Sequence, residues 1–201
     1  MKSSLSNDQL CFTLKKFTQK MNGRCEYFPC FGTLLGLIRE GNPIQGDDDV
    51  DFYVNKNHFT LIKDIIEELK IPVKYDKWPN QTEDFIQAHG IVDTFELRAD
   101  FYFYDNDIDP NFIHEKWNFD GKPQDPTKVL KLPKPLIFPL KQIKWQEATI
   151  FIPRYSEIIV EILYGSNWKT PQRKNVDYIT QVHGGRPFRL IKNEAGVKLL
   201  P

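Results

Sequence analysis

Apolar residues recur along this chain with two periods, and the change of period marks its elements. Over residues 7–22, Leu10, Leu14, Phe17 and Met21 fall on one stripe, which predicts a packing helix capped by Asn7 or Asp8. Phe59, Leu61, Ile62, Ile65, Ile66 and Leu69 predict a second amphipathic helix over 57–70, ended by Pro72. Period two then takes over, and 71–75, 85–88 and 94–104 read as strands. In the last of these, Phe95, Leu97, Ala99, Phe101 and Phe103 share one face, and Glu96, Arg98, Asp100, Tyr102 and Tyr104 the other. Residues 105–126 show no period and read as a polar loop of the length used for lids and substrate loops. Trp117 within it is an aromatic that can stack on a base or face a cation. Short strands and turns are expected over 132–153. A last helix over 154–164 follows, with Ile158, Ile159, Ile162 and Leu163 inward, Pro153 ahead and Gly165 as its stop. The tail from about 172 reads as basic and irregular.

One stretch departs from plain packing. An apolar segment, Tyr27 to Phe31, runs into Gly32-Thr33, which opens a helical stretch from Leu34 to Arg39. After a turn, Asp47-Asp48-Asp49-Val50-Asp51 places four carboxylates in five positions. Val50, Phe52 and Val54 alternate with Asp51 and Tyr53, which predicts a strand with one buried face. Asp49 and Asp51 then project from the same face. Like charges that close raise each other's pKa unless a cation lies between them. A hard divalent ion, Mg²⁺ first, relieves the repulsion and can hold substrate phosphate oxygens as well. A solvated acidic turn is the competing reading; the place of the pair inside an apolar strand favours the metal. Gly32 at a strand-to-helix turn lets backbone N–H groups approach an anion. The Thr33 hydroxyl can cap the helix or contact a phosphate. Arg39, just before the acidic turn, is expected to meet a phosphate rather than to pair with Glu40.

Composition narrows the classes. Basic and acidic residues number 27 each, which argues against a general nucleic-acid or membrane-surface binder. The charge is segregated, with eight acids and one base over 83–109 and seven bases and two acids over 169–198. A metal that meets a phosphate suits that division, although solvated faces of opposite sign share it. Met1 to Asp8 is polar and no apolar run is long enough to span a bilayer. Cys11, Cys25 and Cys30 read as reduced, mostly buried thiols of a cytoplasmic protein. A single domain over 1–201 is expected.

Gly32-Thr33-Leu34-Leu35-Gly36, Arg39 and Asp47-Asp48-Asp49-Val50-Asp51 together resemble the signature of the LicD/fukutin family. Ala99-Asp100-Phe101-Tyr102 is similar to that family's aspartate-bearing strand, and Tyr164-Gly165-x-x-Trp168-x-x-Pro171 to its closing pattern. The resemblance covers residues 25–171. It implies an α+β fold, a nucleotidyltransferase-like mixed β-sheet core flanked by helices. It also implies a phosphotransferase that moves phosphocholine, ribitol phosphate or a similar phospho-alcohol from a cytidine diphosphate donor to a glycan hydroxyl. In that frame Asp49, Asp51 and Asp100 hold Mg²⁺, with Mn²⁺ as the alternative. Asp100 also has a competing reading, as the end of an exposed Glu96–Arg98–Asp100 charge ladder. Asp47 is a further metal or acceptor-positioning residue, and Asp47 and Asp100 are the candidates for the base. Gly32, Thr33 and Arg39 hold donor phosphate, and Trp168 and Trp117 line the headgroup.

The chain departs from the family at Ile44-Gln45-Gly46, where the family carries Ile-Pro-Trp. Losing that aromatic wall, with Gln45 and Asn42 nearby, favours a polyol phosphate over phosphocholine, whose cation seeks aromatic faces. The implied partners are a CDP-linked donor and a glycan acceptor, met in the cytoplasm or at the inner face of the membrane. Three rival functions share part of the pattern. Glycosyltransferases of the Asp-x-Asp type place a full nucleotide-binding half before the motif, and 48 residues precede Asp49 here. A nucleotidyltransferase that moves a nucleoside monophosphate shares Gly-Thr and Asp-x-Asp but lacks Tyr164-Gly165-x-x-Trp168. A non-enzymatic binding module has no use for so many carboxylates in a strand.

Overall fold

The computed structural model describes residues 4–71, 85–115 and 130–171, and the backbone of 189–193 and 196–200. The first helix, α1 (Asn7–Met21), buries Leu10, Leu14, Phe17 and Met21 as its spacing requires. Its cap is Ser6, one residue ahead of the expected Asn7 or Asp8. The Ser6 hydroxyl accepts the Gln9 N–H and the Gln9 side chain accepts the Ser6 N–H, closing a capping box.

Strand β1 (Tyr27–Pro29) leads into α2 (Phe31–Arg39), and β2 (Val50–Asn55) follows. A 3-10 turn, Lys56–His58, precedes α3 (Phe59–Glu68), so the predicted second helix begins as a tighter turn. The predicted 71–75 strand lies, beyond Ile71, outside the described residues. β3 (Phe85–Val92) and β4 (Phe95–Asp105) form a hairpin through Asp93 and Thr94, both with positive φ (48° and 73°). Two residues in that conformation match the twist of the flanking strands. β3 therefore runs four residues past its predicted end.

Within the predicted 105–126 loop the structure forms β5 (Phe112–Glu115), which pairs with β6 (Leu130–Pro133). Alternation of buried Ile113 and Glu115 with half-buried neighbours was too short to register as a strand signal. A short helix α4 (Lys134–Ile137), the hairpin β7 (Lys141–Trp145)–β8 (Ala148–Ile152) and α5 (Ser156–Tyr164) complete the described core. α5 turns Ile159, Val160 and Leu163 inward and leaves Ile158 and Ile162 half-buried, a rotation from the predicted stripe. The tail, expected to be irregular, forms a hairpin of β9 (Arg189–Asn193) and β10 (Gly196–Leu200).

The main sheet runs β1-β2-β4-β5-β6, with β3 also on β4; β2 and β4 are parallel and the other pairs antiparallel. This is the mixed sheet flanked by helices that the resemblance implies. β2 was expected to bury one face and buries both. Phe17 of α1 packs on Phe52 and Phe101, which stack with ring centres 5.4 Å apart. On the opposite face Phe28 and Phe31 pack on Tyr53, and Phe31 and Phe85 on Tyr102. A central strand between two layers has no solvent face, so Asp51 is buried along with its apolar neighbours.

Candidate active site

The acids meet at the end of the sheet where β1 turns into α2. Phe31 enters that helix with φ +44°, a left-handed conformation that costs a bulky residue energy. Its ring is held by Tyr53 and Tyr102, which fixes the turn. Gly32 follows. A Cβ there would lie 2.5 Å from Asp47 Oδ2 and 4.0 Å from Asp51 Oδ2, so two carboxylates converge over a position with no side chain. Further along α2, a Cβ on Gly36 would meet the backbone of Asn42 and Ile44 at 2.6 and 2.8 Å. That close approach sets the return loop against the helix and aims the acidic turn back toward Gly32. The turn is further tied by the Leu5 N–H, which donates to the Asp47 carbonyl at 2.9 Å.

Asp51 and Asp100 are direct partners in the parallel β2–β4 register, so their side chains leave the same face side by side. They are 7% and 6% exposed. Gln87 of β3 lies opposite Asp100 and donates to its Oδ1 at 2.8 Å. Asp49 immediately precedes Val50, the first residue of β2, and so stands at the entrance to that strand. Two neighbours register the charge. Cys30 and Tyr102 are both driven well above their ordinary pKa, first by burial and then by Asp51, Asp100 and Asp49. Glu115, 1% exposed, acts on Cys30 as well. Sequence reasoning missed it because a lone Glu in a four-residue strand carries no motif.

Asp47, Asp48 and Asp49 form a tighter group, half-buried, with ligand oxygens within 4.8 Å of one another. A set of carboxylate oxygens arranged around a missing Cβ suits a hard divalent cation, which takes oxygen ligands. The donor set thus fits the class of ion that the pattern implied. Of the expected ligands, Asp49 belongs to this group with Asp47 and Asp48, whereas Asp51 and Asp100 stand side by side in the β2–β4 register; all three expected ligands act on Cys30 and Tyr102.

The model of the family described as LicD/FKTN/FKRP, nucleotidyltransferase domain, matches residues 24–155. The chain belongs to this family. This LicD domain is also similar in fold to a solved lincosamide antibiotic adenylyltransferase, LnuA, bound to lincomycin, at 10% sequence identity. The TM-score is 0.50, with 89% of this chain and 95% of that one covered. Comparison with curated proteins gives no match. Family and fold together are those of a transferase.

Three expected phosphate or headgroup residues sit differently in the LicD domain from their sequence reading. Thr33 is 2% exposed and neither caps α2 nor faces solvent; its Oγ1 accepts the Asp51 N–H at 2.8 Å. It pins helix to strand, and the cap position belongs to Cys30. Arg39 pairs with Glu40, its Nε donating at 2.9 Å, and its Nη1 reaches the Trp168 carbonyl at 3.4 Å. It stands at the C-terminal end of α2, about 10 Å along the axis from Gly32. Trp168 is 8% exposed and joins the core, with the Lys169 ammonium over its ring at 5.2 Å. Trp117 lies outside the described residues. The Glu96–Arg98 part of the expected ladder is present, Arg98 Nη2 donating to Glu96 at 2.7 Å, and it is buried at Arg98 rather than exposed; Asp100 accepts from Gln87.

Proposed function

We propose that this LicD domain transfers a phospho-alcohol from a CDP-linked donor to a glycan hydroxyl, with a divalent cation, Mg²⁺ in the first place, at the carboxylates. The observation that carries the reading is the parallel register that sets Asp51 beside Asp100, next to Asp49 and under Gly32. Asp49, Asp51 and Asp100 would hold the ion, with Asp47 at its edge. Bound there, such an ion neutralises charge on the donor diphosphate and on the departing CMP. The chain's own part is binding and proton handling. Backbone N–H groups at the start of α2 face the donor phosphate, since Gly32 leaves room for close approach. An acceptor O–H attacks the phosphorus that bears the alcohol, the bond from that phosphorus to the CMP oxygen breaks, and the acceptor proton passes to Asp47 or Asp100. Buried Asp51 and Asp100 keep their orientation through β-sheet backbone pairing and, for Asp100, through Gln87.

Gly46, with φ +85°, carries no side chain, so this position supplies no aromatic wall beside the acids. Exposed Gln45 and Asn42 are nearby in the chain. A polyol headgroup, whose hydroxyls need polar partners, suits this edge better than choline.

The test is CMP release from CDP-ribitol, CDP-glycerol, CDP-ethanolamine and CDP-choline with a glycan acceptor. Release should require Mg²⁺, stop with EDTA, be lost in Asp51→Asn and Asp100→Asn, and favour a polyol donor. Turnover of CDP-choline alone would overturn the headgroup assignment, and activity surviving EDTA would overturn the metal. The adenylyltransferase likeness supports a second reading, transfer of a nucleoside monophosphate. It would release pyrophosphate from a nucleoside triphosphate, and the same assay distinguishes it by product.

A further inference from the structure

A strand register fixes where a side chain starts and not where its end points. The β2–β4 pairing sets Asp100 beside Asp51, yet the Asp100 carboxylate can still turn about its own torsions. Gln87 supplies a fixed partner for it. Gln87 lies opposite Asp100 in the β3–β4 pairing, and its Nε2 donates to Asp100 Oδ1 at 2.8 Å. An ionised carboxylate only accepts, so the amide presents its nitrogen there and not its oxygen.

The strand that carries this amide is itself well held. β3 pairs with β4 without interruption, from Phe85 opposite Tyr102 to Val92 opposite Phe95. On the face of Gln87, Phe85 packs on Tyr102 with ring centres 5.2 Å apart. On the reverse face Ile86 and Ala88 are buried. The amide therefore reaches Asp100 from a fixed backbone, and only its own side-chain torsions are ordered to make the contact.

The chemistry of the donor matters as much as its place. A lysine or arginine opposite Asp100 would satisfy the same oxygen with a full positive charge, and that charge would compete with a cation for the carboxylate. An amide fixes the oxygen and leaves the charge of the carboxylate in place. That combination suits a residue standing behind a metal ligand.

We propose that Gln87 is a positioning residue for the cation site: it holds the Asp100 carboxylate in the orientation that an ion shared with Asp51 needs, and so sets the affinity for that ion. The proposal rests on the reading of these carboxylates as a cation site. Two effects of the bond oppose each other. It lowers the ordering cost of binding an ion, and it draws electron density from a ligand oxygen. Loss of such supporting partners commonly lowers metal affinity by about 10- to 100-fold, so the ordering effect is the larger.

The test is titration of the metal-free full chain with Mn²⁺, followed by the electron paramagnetic resonance signal of the free ion, with Mg²⁺ as competitor. Wild type, Gln87→Leu, Gln87→Asn and Gln87→Lys are compared well below their melting temperatures, so affinity is read on folded protein. Gln87→Leu, similar in size but without a donor, should bind Mn²⁺ about 10- to 100-fold more weakly. Gln87→Asn keeps the amide on a shorter stem and should fall between Gln87→Leu and wild type. Gln87→Lys still offers Asp100 a donor, so it should melt no lower than wild type without metal, yet bind Mn²⁺ more weakly than Gln87→Leu. If Gln87→Leu does not fold, the Asn and Lys variants carry the test. A contact that serves packing alone would lower the melting temperature of Gln87→Leu and leave Mn²⁺ affinity within about twofold. That result, tighter binding by Gln87→Leu, or wild-type affinity in Gln87→Lys would each overturn the role of Gln87 while the cation site stands. Wild type that binds no Mn²⁺ displaceable by Mg²⁺ would overturn the cation site and this proposal together.

Discussion

Adding one carbon at Gly32 separates stability from chemistry. The Cβ of Gly32→Ala would stand 2.5 Å from Asp47 Oδ2 and 3.7 Å from its Cγ. Ordinary contact begins near about 3.4 Å, so the carboxylate must retreat by about 0.9 Å. Asp47 is half-buried and its carboxylate is the end of a short rotatable side chain, so the retreat costs about 0.5–1.5 kcal/mol in rotamer strain. Alanine in place of glycine within a helix returns about 0.5–1 kcal/mol. The two nearly cancel, and the melting temperature should move by no more than about 3 °C. Activity should not survive so well. A reacting group displaced by about 1 Å costs on the order of 10²-fold in rate, and the same shift disturbs a cation held by Asp47 and its neighbours. The assay is thermal unfolding beside initial rates of CMP release at saturating Mg²⁺. Wild-type rates with an intact fold would show that the carboxylates over Gly32 play no part in turnover. A large drop in melting temperature would show that Gly32 serves packing.

Gly36→Ala should behave in the opposite way. Its Cβ would press on backbone atoms of Asn42 and Ile44, which cannot rotate aside, so we expect a loss of about 1–3 kcal/mol by thermal unfolding. Arg39→Ala should cost about 1 kcal/mol through its ion pair and packing and leave donor affinity within about twofold by calorimetry; a tenfold loss of affinity would restore its phosphate role. Burial pushes the Cys25 thiol up to about 12, whereas thiols of the unfolded chain ionise near about 8.5. Native Cys25 should therefore resist a thiol reagent at pH 8 that labels it in urea. Its contribution to stability is intact below about pH 8.5 and is lost as pH rises from there toward 12, which a chemical-denaturation series across pH will read.

The sequence exposed the parts of this site whose chemistry is local. Asp47 to Asp51 announce themselves by charge density, and Gly32 by its place between an apolar segment and a helix. The helical stripe of α1 was legible for the same reason, since its buried positions recur within one element. What could not be read is what depends on register. Nothing in Glu96-Leu97-Arg98-Ala99-Asp100 says that Asp100 will face Asp51 while Arg98 faces His89; the pairing with β2 and β3 decides it. Arg39 misled because proximity to the motif in sequence became distance along a helix, with Glu40 as an immediate partner. Thr33 misled in a different way: a hydroxyl at a helix start has two uses, and burial against Asp51 selected a third.

The parallel pairing of β2 with β4 has a consequence beyond bringing two aspartates together. Parallel neighbours need a crossover connection, and here α3 and β3 lie between them in the chain. The acids of β2 arrive with the α2 turn, and the acid of β4 arrives with the β3 hairpin, so the site joins two units that have no local contact in sequence. Each unit brings its own supporting group: Thr33 and Phe31 fix the first, and Gln87, His89 and Glu96 fix the second. A perturbation in one unit should therefore leave the other's support intact. Loss of Asp51 leaves Asp100 held by Gln87, and loss of Asp100 leaves Asp51 held through its backbone to Thr33. If the carboxylates act through a shared cation, the double variant Asp51→Asn/Asp100→Asn should lose no more activity than the worse single variant, because either loss already empties the shared function. Additive losses would mean that the two aspartates act separately, and that the register which sets them side by side has no chemical use.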